Sequence, residues 1–203
     1  MNTKTLYVIE AKLTIKKYGG IAVMGISVFL SYPRPYLKRQ EEFINLVIKY
    51  LEDRGFTPRT LGITDYDMNA PLTAIRRLML ESNGLITIAF RRAFIEKGIG
   101  KPSSDIGQSE YDLSNKWTTS PYCHIEPAMA FQIGLPILIL RESGVIDDGV
   151  LERGVTGLYL PEFDLDKIPN IYLESSEWRQ IMGQWEGNVR KVLENKGCPP
   201  KLY

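Results

Sequence analysis

The sequence predicts an α/β fold in which helices cover both faces of a central parallel sheet. Three short runs of apolar, branched residues alternate with longer segments whose apolar residues recur at helical spacing. Continuous apolar strands are typical of sheets buried on both faces, and their alternation with helices favours a three-layer sandwich. A chain of 203 residues can bury the core of one domain.

The first half of the chain supplies the first strand and helix. Residues 1–20 predict an extra strand or a short amphipathic helix, and residues 21–32 a buried strand. A helix is expected at about 36–54, where one apolar stripe recurs at three- and four-residue spacing, and Gly55 suits its end. A short strand is expected at 56–61.

The middle of the chain contains a second helix and strand. Asn69 can cap this helix, and Pro71 suits its first turn. The second core strand is expected at 85–90. Residues 91–119 have no sustained period and predict a long loop with one possible helical turn. Long loops in compact domains are often functional.

A third helix is expected in the segment SPYCHIEPAMAFQIG, with Ser120 as its N-cap. The third core strand follows at 136–140. A loop with a short helix is expected at 141–156, a short strand at 157–160 and a last helix at 176–195. We therefore predict a single domain over 1–203. Its core covers about 21–160, with an N-terminal extension before it and a C-terminal helical extension at 161–203.

Composition excludes several classes of function. The formal net charge is +1, so no global basic field recruits nucleic acid or a membrane. The apolar stretch 21–30 is about half a membrane span. With only Cys123, Cys198 and His124, a Cys/His zinc site cannot be assembled, and we expect no metal or cofactor. Few cysteines and the lack of a secretory leader predict a cytoplasmic protein.

Polar residues follow the first two core strands, where parallel sheets bind their ligands. The segment VFLSYPRP brings Ser31, Tyr32 and Arg34 to the carboxyl end of the first strand. Tyr32 could stack on a base and Arg34 could pair with phosphate. Arg91 and Arg92 follow the second strand, where a phosphate would lie. The alternatives are a proline-rich turn and a pair of solvated arginines.

The segment GITDYDMN places Asp65 and Asp67 on either side of one tyrosine. Two acids at this spacing could bind a cation or the hydroxyls of a ribose. No third ligand of the EF-hand type lies nearby. A plain capped loop is the favoured interpretation.

The segment SPYCHIEP contains Glu126, the acid best suited to a chemical role. Because Pro127 disfavours a helix interior, the regular helix is expected to begin nearer His124 than Pro121, with Glu126 in its first turn. A carboxylate there could stabilise positive charge on a ribosyl ring. By spacing alone, simple capping is favoured. Cys123 is expected to be packed, and His124 to be a partly exposed neighbour without a base's role.

Taken in order, these segments resemble a TIR domain. The resemblance covers roughly residues 26–140. Its phrases are SVFLSY at 27–32, DRGF at 53–56, a helix ending in Ser82 before LITIAF, and a serine-aromatic-cysteine-glutamate pattern before the third helix. The family's last phrase is S-x-W-C-x-x-E-L. Here its positions are Ser120, Tyr122, Cys123 and Glu126, with tyrosine in place of tryptophan.

The resemblance implies a flavodoxin-like fold and an enzyme that cleaves the nicotinamide–ribose bond of NAD. Glu126 would be the catalytic residue, and NAD a substrate, not a cofactor. Ser31, Tyr32 and Arg34 would belong to the first substrate loop, and residues 65–69 to the second.

The candidates to contact the diphosphate of NAD would be Arg34, or Arg91 and Arg92. A ring of the substrate could stack on Tyr32 or Tyr122. The product would be ADP-ribose or a cyclic or modified form of it, serving as a signal in bacterial antiphage defence. A separate effector protein could read that signal. Enzymes of this family often need homo-oligomers to complete their pocket, so a homo-oligomer is expected.

Two other functions stay open. Nucleoside 2-deoxyribosyltransferases share the flavodoxin-like layout. The chain could therefore be a nucleoside or nucleotide 2-deoxyribosyltransferase or an N-glycosidase, with Glu126 as a covalent nucleophile. Alternatively, the chain could be a non-catalytic TIR-like adaptor that works by assembly. Pro127 and the long segment 91–119 depart from the usual TIR pattern.

Overall fold

The computed structural model describes residues 15–18, 21–157, 159–167 and 169–195. The strands within these residues are β1 (Ile15–Tyr18), β2 (Ile21–Met24), β3 (Ile26–Ser31), β4 (Phe56–Arg59), β5 (Leu85–Ala89), β6 (Ala93–Ile95), β7 (Ile99–Gly100), β8 (Tyr111–Asp112), β9 (Lys116–Thr118), β10 (Ile137–Glu142) and β11 (Glu162–Phe163). The helices are α1 (Lys38–Asp53), α2 (Pro71–Leu80), α3 (Tyr122–Gln132), α4 (Pro169–Leu173) and α5 (Ser176–Glu194), with a 3₁₀ turn at Gly149–Leu151.

The central sheet has five strands in the order β11-β10-β5-β3-β4, and all its pairs are parallel. Numbered by their order along the chain, these strands run 5-4-3-1-2. This is the flavodoxin-like order, in which β3 and β5 flank the point where the winding reverses. The predicted α/β fold with a central parallel sheet is therefore confirmed.

Helices cover both faces of this sheet. On one face, α1 and α5 pack on β3, β5 and β10 through the largest cluster of buried side chains. Phe43 of α1 stacks on Phe163 of β11 with ring centroids 4.4 Å apart. Such aromatic pairs add about 1 kcal/mol beyond the burial of their area. On the other face, α2 and α3 pack on Phe29, Leu85 and Ile139.

The predicted strand at 21–32 is divided at Gly25. Residues before it form β2, which pairs antiparallel with β1, and residues after it form β3 of the central sheet. A Cβ atom at Gly25 would lie 2.1 Å from the hydroxyl oxygen of Thr57. A larger residue at this division would force the side chain of Thr57 to shift.

The described residues of the segment at 161–203, which was predicted as an extension, contribute to the same sheet and core. Strand β11 forms one edge of the sheet, and Trp178 and Met182 of α5 are buried in its largest cluster. The predicted strand at 157–160 is wrong for its described residues, because residues 157, 159 and 160 lie outside any strand. The edge strand instead forms at β11.

The segment at 91–119 folds as an antiparallel arm in place of a loop with a helical turn. Strand β6 pairs with β9, and β7 pairs with β8. Phe94 and Trp117 contact each other across the first pair, with ring centroids 4.9 Å apart. Short strands of two or three residues carry too little periodicity to be predicted from sequence.

Both edges of the central sheet are short. Strand β11 has two residues, and β4 has four, of which Pro58 supplies no backbone N–H. In the part of the chain that the structure describes, no helix combines the length and apolar character needed to cross a membrane.

Candidate active site

A cleft of about 740 Å³ opens at the carboxyl ends of β3 and β5, where the winding of the sheet reverses. Parallel α/β sheets bind their ligands at this place. Its lining combines one acid, two arginines, three tyrosines, hydroxyl groups and apolar residues. The lining residues are Phe29, Leu30, Ser31, Tyr32, Pro33, Arg34, Pro35, Tyr36, Thr60, Leu61, Pro71, Ile75, Arg92, Ser120, Tyr122 and Glu126.

Glu126 is the acid of this cleft. It projects from α3 and keeps 7% of its surface exposed, and its carboxyl group is hydrogen-bonded to the side chain of Ser31 at the end of β3. Burial penalises the charged form and raises the pKa of Glu126 to about 7, although the bond with Ser31 opposes this shift. A carboxyl group with this pKa changes its charge near neutral pH.

The start of α3 differs from the prediction. The helix begins at Tyr122 with Pro121 as its N-cap residue, so Glu126 lies in the second turn and not in the first. Ser120 stands one residue further out, and its hydroxyl oxygen accepts a hydrogen bond from the N–H of Tyr122 over 3.3 Å. Pro127 is tolerated inside the helix, and its missing N–H leaves the carbonyl of Cys123 without the usual helical donor.

Tyr32 and Thr60 form a second polar contact in the cleft. Their side chains share a hydrogen bond, and burial raises the pKa of Tyr32. The Thr60 hydroxyl also donates to the carbonyl of Leu30 over 2.9 Å. Thr60 was not predicted as a site residue. It follows β4 at the ligand edge of the sheet, but its short strand gave only a weak signal.

Arg34 and Arg92 supply the positive charge of the cleft. Both line it and both side chains are exposed. The ion pairs found among the described residues include neither of them. The backbone N–H of Arg92 donates to the carbonyl of Thr118 over 2.8 Å, which ties this residue to the antiparallel arm. The two guanidinium groups are therefore available to an anionic ligand.

Two exposed tyrosines complete the aromatic surface. Tyr36 keeps 55% of its surface exposed and Tyr122 keeps 41%. Aromatic rings that border a cleft with arginines suit the stacking of a base. Tyr122 was predicted for this role. Tyr36 was missed, although it lies two residues beyond Arg34 in the same proline-rich phrase.

The structure does not bring Asp65 and Asp67 into the cleft lining. The guanidinium group of Arg59 hydrogen-bonds to Asp65 through two of its nitrogens. Burial raises the pKa of Asp65, but the bonds from Arg59 and Thr64 outweigh it and leave this pKa lowered. The carboxylate of Asp65 is thus engaged by the last residue of β4.

Asp67 plays a similar part at the start of α2. It accepts hydrogen bonds from the backbone N–H of Asn69 over 2.9 Å and from Nε of Arg77 over 2.8 Å, and both contacts lower its pKa. Asn69 does not cap α2, whose N-cap residue is Ala70 without a side-chain bond. The predicted capping role of Asn69 is therefore wrong.

Arg91 also lies outside the cleft lining. Its Nε atom donates to the carbonyl of Ser143 over 2.5 Å, and its Nη1 atom to Asp166 over 3.1 Å. Its guanidinium group also lies over the ring of Trp117 at 5.9 Å. Of the two adjacent arginines, only Arg92 faces the cleft.

Cys123 and His124 do not contribute reactive groups to the cleft. Cys123 is buried, and burial raises the pKa of its thiol to about 12, so it is packed and not nucleophilic. His124 borders a separate cavity, with Nε2 3.8 Å from the carboxylate of Asp148. Within the described residues, no group of three or more histidine, cysteine, aspartate or glutamate side chains could hold a metal ion.

Two solved structures have a similar fold. The CMP N-glycosidase BcmB of Clostridium botulinum is 19% identical, with a TM-score of 0.43 over 73% of this chain and 94% of that chain. The TIR domains of the activated Roq1 resistosome are 13% identical, with a TM-score of 0.38 over 83% of each chain. No protein-family model matches, and no curated protein matches significantly. At these identities and scores, neither structure identifies a substrate for this chain.

Proposed function

We propose that the cleft cleaves the N-glycosidic bond of a nucleotide, with NAD as the first substrate to test. The observation that carries this proposal is the carboxyl group of Glu126. It is nearly buried, is hydrogen-bonded to the hydroxyl group of Ser31, and opens into the cleft at the point where the sheet reverses its winding.

Cleavage of such a bond passes through a transition state in which the sugar ring carries positive charge, as in glycoside hydrolysis generally. A carboxylate fixed beside that ring stabilises the developing charge. Ser31 orients the Glu126 carboxyl group for this role. The nicotinamide of NAD is a cationic leaving group, so its departure needs no general acid.

The other residues of the cleft would bind and orient the substrate. Arg34 and Arg92 carry the charge to pair with phosphate oxygens, and Tyr36 and Tyr122 offer exposed rings for stacking. Water as the acceptor gives ADP-ribose, whereas an attack from within the substrate gives a cyclic product. Either product follows from the same cleavage step, and either could serve as the signal that the TIR resemblance implies.

The test is mass spectrometry of products after the purified protein is incubated with NAD, and separately with CMP and deoxynucleosides. We expect release of nicotinamide from NAD by the wild-type protein. The Glu126→Gln variant should lose turnover by about 10²- to 10³-fold, because it keeps the shape but not the charge. Glu186→Gln is the matched control, since Glu186 has the same 7% exposure but lies on α5.

Three outcomes would contradict the proposal in different ways. Full activity of Glu126→Gln would remove this residue from catalysis. Release of a base from CMP or a deoxynucleoside with NAD untouched would keep the N-glycosidic chemistry and replace the substrate. A wild-type protein that leaves all three substrate classes intact would contradict enzymatic cleavage of these substrates.

A further inference from the structure

Gln40 is a fully buried amide in the first turn of α1. Its Oε1 atom accepts a hydrogen bond from the N–H of Tyr36 over 3.2 Å. A glutamine at the third helical position commonly reaches back in this way to satisfy a free amide at a helix start. Capping therefore accounts for its oxygen, but it does not account for its nitrogen.

The amide nitrogen of Gln40 binds to other parts of the chain. Its Nε2 atom donates to the carbonyl of Arg91 over 3.2 Å, and it also lies 3.4 Å from Oε2 of Glu142. The partners are 51 and 102 residues away in sequence. Because a buried amide costs free energy unless its hydrogen-bonding groups are satisfied, this position is matched to all three partners.

The backbone of Arg91 is held from both sides. Its N–H donates to Oε2 of Glu142 over 2.8 Å, while its carbonyl accepts from Gln40. Glu142 is itself fully buried at the end of β10. Arg91, the second residue after β5, is thereby fixed relative to both α1 and β10.

Each end of this chain of contacts leads into the cleft. Tyr36 lines the cleft and closes the loop that follows β3, and Arg92 lines it directly after the fixed Arg91. Gln40 thus joins two walls of the cleft that come from different parts of the sequence. Those walls carry the two guanidinium groups that would bind phosphate.

We propose that Gln40 is a positioning residue, which acts with Glu142 to hold Arg92 and the loop at 31–36 at a fixed separation. This inference rests on the proposed function of the cleft. It assigns to a buried residue outside the cleft a share in substrate affinity. Glu126, in contrast, acts on the bond that breaks.

The test compares Gln40→Met with the wild-type protein in NAD turnover. Methionine keeps the length and approximate volume of the side chain and removes its hydrogen-bonding groups. We expect KM for NAD to rise about tenfold and kcat to stay within about threefold, because misplaced binding groups weaken substrate binding. Glu186→Gln, a buried polar change on α5, should leave KM unchanged.

A second measurement does not depend on turnover. Amide hydrogen exchange should become faster in the non-proline residues of 32–36 and in residues 91–92 of Gln40→Met, and stay unchanged in α5. Gln40→Asn keeps the amide but is one methylene shorter, so it should show a smaller change in the same segments. If Gln40→Met does not fold, the exchange measurement is made on Gln40→Asn alone.

Unchanged exchange in both segments, or a fall in kcat with KM constant, would overturn the positioning role. If the wild-type protein does not cleave NAD, the proposed substrate fails, and hydrogen exchange alone then decides whether Gln40 holds the two walls. The two failures are therefore distinguishable.

Discussion

Glu126 and Glu142 are two buried glutamates near the ligand edge of the same sheet, and their surroundings differ. Burial raises the pKa of both. Glu142 is met by the N–H of Arg91, the amide of Gln40 and the guanidinium group of Arg91, with Nε 3.8 Å from Oε1. Glu126 is hydrogen-bonded to the hydroxyl of Ser31 and faces the open cleft.

The difference separates an acid that is bound within the fold from one that faces open space for a ligand. The Oε2 atom of Glu142 accepts hydrogen bonds from the side chain of Gln40 and from the backbone of Arg91, so this acid links separate parts of the fold. Glu126 keeps its capacity for a ligand, and the fold carries the cost of a poorly compensated buried carboxyl group. Sites of chemistry commonly hold such groups at the expense of stability.

The largest expected effect is on stability, in Glu142→Leu. This change leaves the N–H of Arg91 without its acceptor and removes the buried partner of its guanidinium group. Leaving a buried donor without its acceptor costs about 1 to 3 kcal/mol, and the loss of the Arg91 ion pair adds to this cost. The midpoint of urea denaturation should fall accordingly with its slope unchanged. A midpoint equal to that of the wild-type protein would show that these contacts do not stabilise the fold.

An opposite effect is expected for Glu126→Gln. The folded pKa of about 7 lies above the ordinary value of 4.5, so the folded state retains a proton that the unfolded state loses between these pH values. Wild-type stability therefore falls as pH rises from 4.5 to 7, and the loss is complete above 7. Glutamine has no such loss.

The gain in stability from Glu126→Gln should thus be small at pH 4 and reach at most about 3 kcal/mol at pH 8. Urea denaturation at the two pH values measures it. A gain that is equal at both pH values would mean that Glu126 titrates normally in the fold.

The smallest expected effect concerns the pH at which activity appears. If the ionised form of Glu126 stabilises the sugar cation, kcat/KM should rise about tenfold per pH unit and level off above a midpoint near 7. The bond with Ser31 lowers the pKa of Glu126, so Ser31→Ala should move this midpoint upward by about one unit or less. Activity that falls with rising pH would instead identify Glu126 as a general acid.

The sequence predicted what depends on local pattern. The apolar runs gave β3, β5 and β10, and their order along the chain led to the ligand edge where Ser31, Tyr32, Arg34 and Glu126 meet. The roles of those residues in binding and catalysis stay predictions. So do the homo-oligomer, the separate effector and the single domain.

What the sequence could not predict depends on distant partners. Asp67 is bound to Arg77 of the following helix, and the amide nitrogen of Gln40 finds its partners after β5 and at the end of β10. The antiparallel arm forms because β6 meets β9 more than twenty residues later. Such pairings follow from tertiary packing, and the local periodicity of the sequence does not predict them.

The short edges of the central sheet limit how copies of this protein can associate. Exposed edge strands invite another chain to extend the sheet by backbone hydrogen bonds, the usual route to aggregation. Here one edge offers two residues and the other contains Pro58, so a neighbouring strand would find few partners at either. We therefore expect any homo-oligomer to assemble through side chains on its helices or its arm.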